Sequence, residues 1–387
     1  MIERFFAVCP PGLEGELASE LAALGAGDVA DENGGAGFSG SSRTAYAANL
    51  HSRIASRVLR QAGRGGYASE DDVYQHARAV AWERWFGADQ RLRVDVSAHR
   101  SPLRSLEFAT LRIKDAIVDR LREKTGARPN IDRARPDVRV FAHLAPAELT
   151  LYLDLSGEAL FKRGWRAAKG EAPLKENLAA GLLALAGWTP ATALLDPFCG
   201  SGTIAIEAAS IAARRAPGLN RLFAFERLRD FDASAWRNVK EDALAAIDDA
   251  SPAVIVGTDI STRVLDQARA NARLVGLDGW LDTGRLRFDD GDSRSVAPPA
   301  ATGLVVTNPP YGERSEPKSA RVARLMNDVA ANFKRQFGGW TAWLLSADLG
   351  LPQTMRLKES RRTVLFNGNL ECRFFRFELV AGSYRRS

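Results

Sequence analysis

The 387-residue chain is 45% hydrophobic, enough for more than one full core, and its 53 Lys and Arg outnumber 47 Asp and Glu to give a formal net charge of +6. Its longest apolar runs, such as residues 178–188, fall short of the roughly 18 residues a membrane span needs, and the opening residues carry Glu3 and Arg4 with no leader-like apolar stretch, so a cytoplasmic protein is expected. Three scattered cysteines, Cys9, Cys199 and Cys372, exclude a disulfide framework, and no metal site is expected.

In chain order, residues 5–8 read as a short strand and 12–24 as a helix with apolar residues at helical spacing, followed by a Gly-rich turn zone over 31–42. Residues 45–61 read as a second amphipathic helix, with Arg43 just ahead of it and Arg53, Arg57 and Arg60 recurring about once per turn. A strand over 92–98, a helix over 104–124 and two alternating strands over 138–144 and 149–155 complete an α+β assembly. Charge is unevenly shared: residues 1–42 carry one Arg against seven acids, whereas 43–166 carry 23 Lys and Arg against 15 acids. That basic block suits a surface that tracks phosphates, although a solvated surface of an Arg-rich protein has the same composition. Residues 156–173 read as a hairpin end and linker, basic and aromatic at once.

The pattern then changes. Helices over 174–186, from 203, and over 262–274 alternate with strands at 193–195, 253–257, 286–288 and 303–306, the signature of a doubly wound, mostly parallel α/β sheet of Rossmann-like type. Ligands of such sheets sit beyond the carboxyl ends of the strands, and each strand end here carries a polar motif. Asp196-Pro197-Phe198-Cys199-Gly200-Ser201-Gly202-Thr203 closes the first strand, its glycines allowing backbone to approach a nucleoside-bearing cofactor. No Lys follows the glycines, which excludes a phosphate-binding Walker loop. Asp259 ends the second strand, where a carboxylate can accept from both ribose hydroxyls. It follows Asp196 at a distance that requires an insertion, supplied by residues 214–249. Beyond the third strand, Asp292 is preferred over Asp289 and Asp290 as the partner of an adenine amino group.

Asn308-Pro309-Pro310-Tyr311 follows the fourth strand directly. An exocyclic purine amine is a poor nucleophile because its lone pair is delocalised into the ring. The Asn308 side-chain oxygen and the Pro309 carbonyl offer two acceptors for its hydrogens, drawing nitrogen toward tetrahedral, while the prolines stiffen the loop and Tyr311 offers a stacking face for an extruded base. Cys199 lies outside this fourth-strand loop, which contains no nucleophilic cysteine, and His51, His76, His99 and His143 all precede the α/β region. The same tetrapeptide chemistry would serve DNA adenine or a protein glutamine amide, and the basic first region favours RNA.

Residues 196–203 and 308–314 together resemble the class I amino-methyltransferases. With Leu151-Tyr152-Leu153-Asp154-Leu155-Ser156-Gly157, Ala172-Pro173-Leu174-Lys175-Glu176-Asn177-Leu178 and Arg215-Ala216-Pro217-Gly218-Leu219, nearly the whole chain resembles the THUMP-containing 23S ribosomal RNA guanine-N2 methyltransferase family, RlmL type. The resemblance implies a ferredoxin-like segment over 1–44, a THUMP RNA-binding domain over 45–156, a linker and leading helix over 157–190 and a class I methyltransferase domain over 191–387. It implies S-adenosyl-L-methionine as methyl donor and ribosomal RNA, or the precursor large ribosomal subunit, as partner, and only the N2 activity is expected, without the 7-methylguanosine activity fused to it in some bacteria. The expected catalytic set is Asn308, Pro309, Pro310 and Tyr311. The expected cofactor set is Asp196, Phe198, Gly200, Ser201, Gly202, Thr203, Asp259, Ile260, Asp292, Ser293 and Asn308, and the RNA set Arg104, Arg112, Lys114, Lys162, Arg163 and Arg166. A monomer is expected. A transfer RNA guanine-N2 methyltransferase and a non-catalytic RNA-binding assembly factor stay open as alternatives.

Overall fold

The computed structural model describes residues 2–166, 174–310 and 320–380. The chain divides into two compact units, one built from Met1–Cys9, Leu17–Leu160 and Asn220–Glu241, the other from Pro10–Glu16, Phe161–Leu219 and Asp242–Ser387.

The elements run β1 (Glu3–Val8), α1 (Glu14–Ala23), β2 (Gly27–Glu32), β3 (Gly35–Gly40), α2 (Ser42–His51), β4 (Arg57–Gly66), α3 (Glu70–Ala79), β5 (Leu92–Ala98), α4 (Leu106–Thr125), β6 (Val138–Leu144) and β7 (Glu148–Asp154). The seven strands form one sheet in the order β2-β3-β1-β4-β7-β6-β5, antiparallel except for the β5–β6 pair. Period-two burial explains the strands: in β6 Val138, Val140, Ala142 and Leu144 are buried while Arg139, Phe141 and His143 alternate with them. The helix α4 starts at Ser105, whose hydroxyl accepts the Phe108 N–H, and buries Ile113, Ile117 and Leu121.

Two expectations are corrected in this unit. The Gly-rich zone is not a loop: β2 and β3 form a hairpin across Asn33-Gly34, with Glu32 opposite Gly35. The helix expected to reach residue 61 stops at His51, because the half-buried Glu20 carboxylate captures the Arg53 N–H at 2.6 Å, the Ile54 N–H at 3.3 Å and the Ser52 hydroxyl at 2.7 Å. Residues 57–66 then join the sheet as β4, so the expected row of cations is dispersed. Arg57 pairs with Asp154 at 2.5 Å, and the buried Arg60 pairs with Asp230 at 2.8 Å.

The segment Asn220–Glu241, inserted in the α/β half of the sequence, packs in this first unit. Its anchor is aromatic: Tyr46 of α2 stacks on Phe225 at 4.3 Å, and Phe225 meets Trp236 edge-on at 5.1 Å.

The second unit carries α5 (Glu176–Leu185), β8 (Ala193–Asp196), α6 (Thr203–Ala212), α7 (Ala233–Ala245), which crosses the boundary at 241, β9 (Ile255–Asp259), α8 (Thr262–Val275), α9 (Asp278–Asp282), β10 (Leu286–Asp290), β11 (Gly303–Thr307), α10 (Ala320–Gln336), β12 (Trp340–Ser346), α11 (Leu351–Met355), β13 (Glu359–Asn367) and β14 (Leu370–Leu379). Its sheet order is β10-β9-β8-β11-β12-β14-β13, parallel from β10 to β12, with β14 and β13 antiparallel. Leu195, Val256 and Val305 from three adjacent parallel strands enter one core with Phe333, Phe337, Trp340 and Phe375. The order reverses between β8 and β11, the switch point at which doubly wound sheets open a crevice.

Candidate active site

A cleft of about 1160 Å³ opens at the carboxyl ends of β8, β9, β10 and β11. Its walls bring together Phe198, Asp259, Ile260, Asp292, Ser293, Asn308 and Pro310, residues separated by up to 112 positions in sequence. Asn308 is half-buried, Pro309 buried and Pro310 exposed at the cleft. Tyr311 lies outside the described residues, as do Ala172 and Pro173.

The loop after β8 is shaped by its glycines. Gly202 has φ +84°, and a Cβ there would sit 2.8 Å from the Phe288 ring. Gly200 also has positive φ, but a Cβ there would meet nothing within 4 Å, leaving backbone open to a ligand. Its N–H donates to Asp259 Oδ2 at 3.1 Å, while the Ser261 N–H donates to Oδ1 at 3.0 Å, so the carboxylate at the tip of β9 is fixed before anything binds. Exposed Ile260 places an apolar side chain beside it. Asp292 is held by a guanidinium: Arg294 Nη2 lies 2.5 Å from Oδ2, and this contact holds the carboxyl below the usual carboxylate range. Asp289 and Asp290 close β10 and are not among the residues lining the cleft.

Asp196, Gly200, Ser201, Gly202 and Thr203 do not line the cleft themselves. Asp196 is buried beneath it, its Oδ1 accepting from the Thr307 hydroxyl at 2.6 Å and the Phe198 N–H at 3.2 Å. Burial pushes its carboxyl up to about 7 despite these two hydrogen bonds, with the Asp259 charge acting in the same direction as burial. A consequence follows for stability. A folded-state pKa above the ordinary 3.8 means a contribution fully present below pH 3.8 and lost as pH rises through about 7. Asp196→Asn keeps an oxygen for both donors and removes the titration. Measured by denaturant midpoints, wild type should lose stability relative to this variant between pH 4 and 7, and a constant difference would contradict a buried, titrating Asp196.

Cys199 is buried, its Cβ and Sγ set where a Cβ on Gly257 would fall, and burial pushes its thiol well above the ordinary range. It is a small packing residue and not a thiolate nucleophile.

The expected RNA set falls into two groups of three, one in each unit. Arg104 is exposed ahead of α4, Arg112 stacks over Tyr74 at 4.4 Å and pairs with Asp71, and Lys114 pairs with Asp115. In the second unit Lys162 is exposed. Arg163 must be corrected: it is 4% exposed and ion-paired with Glu207, itself 2% exposed, so it offers no guanidinium to solvent. Arg166 donates to Glu176 at 2.6 Å and to Thr203 Oγ1 at 3.1 Å, tying the segment before α5 to the start of α6. Sequence reading missed Arg294, Arg321, Arg324, Leu325 and Asp328 on the cleft wall. The last four recur at helical spacing just after the Asn308 loop, a signal that was there to be taken.

The family described as "RMKL-like, methyltransferase domain" matches residues 163–376, the span that contains this cleft. The chain belongs to the RMKL-like methyltransferase family. The first part of this RMKL-like chain matches the RlmL ferredoxin-like domain over 4–59 and the THUMP domain over 67–154. A Shewanella baltica protein named ribosomal RNA large subunit methyltransferase K/L is 40% identical over 392 residues, covering 99% of this chain and 54% of that protein. The chain thus spans about half the length of the curated relatives it matches. Among solved structures, a candidate methyltransferase in complex with SAH is 29% identical at a TM-score of 0.86, covering 97% of this chain and 98% of its own. A Listeria monocytogenes structure described as a predicted N6-adenine-specific DNA methylase is 30% identical at 0.87, covering 97% and 96%. Both support the two-part architecture of a ferredoxin-like and THUMP module followed by a class I methyltransferase sheet.

Proposed function

We propose that this RMKL-like methyltransferase transfers a methyl group from S-adenosyl-L-methionine to the exocyclic N2 of a guanine in large-subunit ribosomal RNA. The observation that carries the reading is the convergence of Asn308 and Pro310 with Asp259, Ile260 and Asp292 on one cleft at the switch point of the sheet.

The residues present fit the cofactor. Gly200 leaves an open backbone cradle, Asp259 would offer its carboxylate to ribose hydroxyls, Ile260 and Phe198 would offer apolar surface to adenine, and Asp292 and Ser293 would meet its amino group. When bound, the cofactor supplies an electrophilic methyl group on a sulfonium centre. Asn308 and the Pro309 carbonyl then accept the two N–H bonds of the target amine, localising its lone pair and aiming it into the cleft. The proton leaves after attack, to solvent or to these acceptors, so no strong base is required.

The RNA partner is supported by the THUMP match over 67–154 and by the names of the curated relatives. On this reading the chain works in the cytoplasm, as a monomer, on ribosomal RNA or the precursor large subunit, with 1–44 a ferredoxin-like segment, 45–156 serving RNA, 157–190 a linker and leading helix, and 191–387 the chemistry. Arg104, Arg112, Lys114 and Lys162 are its RNA-facing cations outside the cleft. The name of the Listeria structure favours adenine as the competing target, a planar amine that the same clamp would serve.

The test is direct. Labelled S-adenosyl-L-methionine is supplied with the purified chain to ribosomal RNA and transfer RNA from cells lacking the enzyme, and modified nucleosides are identified by mass spectrometry. N2-methylguanosine in the large ribosomal RNA is the expected product. Label only in transfer RNA, or in N6-methyladenosine, would overturn the substrate assignment, and no label in either RNA would overturn the reaction.

A further inference from the structure

Beyond Asn308 the cleft changes character. On the side of β9 and β10 it is lined by Asp259 and by Asp292 with its partner Arg294, whereas the first turns of α10 contribute Arg321, Arg324 and Leu325 at i, i+3 and i+4, with Asp328 one turn further on. Helix α10 is held firmly by Met326, Val329, Ala330 and Phe333 in the core, with Val322 and Leu325 packed against the same cluster. Its first two turns are thus a rigid platform from which two exposed guanidinium groups project at the cleft.

These arginines differ from their neighbours. Arg294 on the same cleft is committed to Asp292, and Arg163 and Arg166 are committed to Glu207 and Glu176. Among the described residues, neither Arg321 nor Arg324 has an ion-pair or hydrogen-bond partner. The expected cofactor contacts, Asp259 for ribose and Asp292 for adenine, lie on the β9 and β10 side and make no use of the two α10 arginines. A nucleotide drawn out of its stack brings two flanking phosphodiesters to the mouth of the site, and extrusion needs contacts that offset the lost stacking. Phosphate contacts from Arg fix register and orientation without reading sequence.

The geometry assigns Arg321 and Arg324 as the phosphate anchor that positions the target nucleotide over Asn308. This inference rests on the function proposed above and adds an RNA contact within the catalytic unit, separate from the THUMP domain. Arg321 and Arg324 act as positioning residues: they grip the strand while the Asn308 loop meets the base.

The double variant Arg321→Gln/Arg324→Gln of the full chain tests it, with S-adenosyl-L-methionine and a 23S ribosomal RNA transcript as probes. The KM for RNA should rise about tenfold or more, given the usual worth of hydrogen bonds to charged groups. The slope of log RNA affinity against log salt should fall by roughly 1.4, about 0.7 for each single-strand phosphate released. The dissociation constant for S-adenosyl-L-methionine should stay unchanged, and the double Lys variant should restore the salt slope. An unchanged slope and KM would overturn the assignment, as would a loss confined to cofactor affinity. RNA binding is read without methyl transfer, so an inactive wild-type chain would refute the proposed function while leaving the salt slope to decide on the anchor.

Discussion

Asn308→Ala should lower kcat by about 10²–10³ while S-adenosyl-L-methionine binds nearly as before. The magnitude is that of removing one pre-aimed hydrogen-bond partner from a transition state, and the sign pattern distinguishes reaction from binding. Asn308 lines the same cleft as Asp259, which is already fixed by the Gly200 and Ser261 amides, so truncating Asn308 leaves the expected ribose contact in place. Its neighbour Pro309 is buried, which holds the loop when the side chain is removed. Steady-state kinetics on RNA with parallel titration calorimetry measure both quantities. Equal losses in kcat and in cofactor affinity would show that Asn308 serves the cofactor.

The second large effect is on stability. Arg163 and Glu207 are both almost wholly buried and lie 3.3 Å apart, one ahead of α5 and the other one turn into α6. Removing one partner of such a pair strands a charge away from water and costs roughly 3–5 kcal/mol, whereas replacing both with apolar residues of similar volume is often neutral. Glu207→Ala should therefore unfold at much lower denaturant, and Arg163→Met/Glu207→Leu should recover most of the loss. A single-variant loss below about 1 kcal/mol would show that the pair is solvated, and would return Arg163 to the RNA-facing set.

The strands β8, β9 and β11 were legible because each is a short apolar run ending at a carboxylate or amide, as in the strand leading to Asn308, whereas the parallel β12 ends in Ser346 with no such tip. Buried on both faces, such strands need no alternation, and the polar tips mark the crevice. The ends of β9 and β11 also located Asp259 and Asn308 on the cleft. What escaped the sequence depended on distant partners. The helix α2 ends where it does because Glu20, more than thirty residues earlier, takes the amides of Arg53 and Ile54. In the hairpin β2–β3 one strand is mostly Gly and Ala and the other carries Asp28, Asp31 and Glu32, so neither gives an apolar alternation to read. The insertion after α6 was recognised as extra sequence, but its docking on Tyr46 is set by aromatic packing that no local pattern encodes. Arg163 looked like a surface cation beside Lys162, and only the fold reveals that Glu207 waits for it. Conversely, the cleft-facing residues of α10, Arg321, Arg324, Leu325 and Asp328, do recur at helical spacing in the sequence, but their place on the cleft depends on how α10 packs on the sheet core.

The most direct test of the central claim is a crystal structure of the chain with S-adenosylhomocysteine. The ribose is expected on Asp259, the adenine between Ile260 and the Asp292–Ser293 segment, and the sulfur turned toward the Asn308 side chain. A product bound elsewhere, or one whose sulfur points away from Asn308, would contradict the assignment of this cleft to methyl transfer.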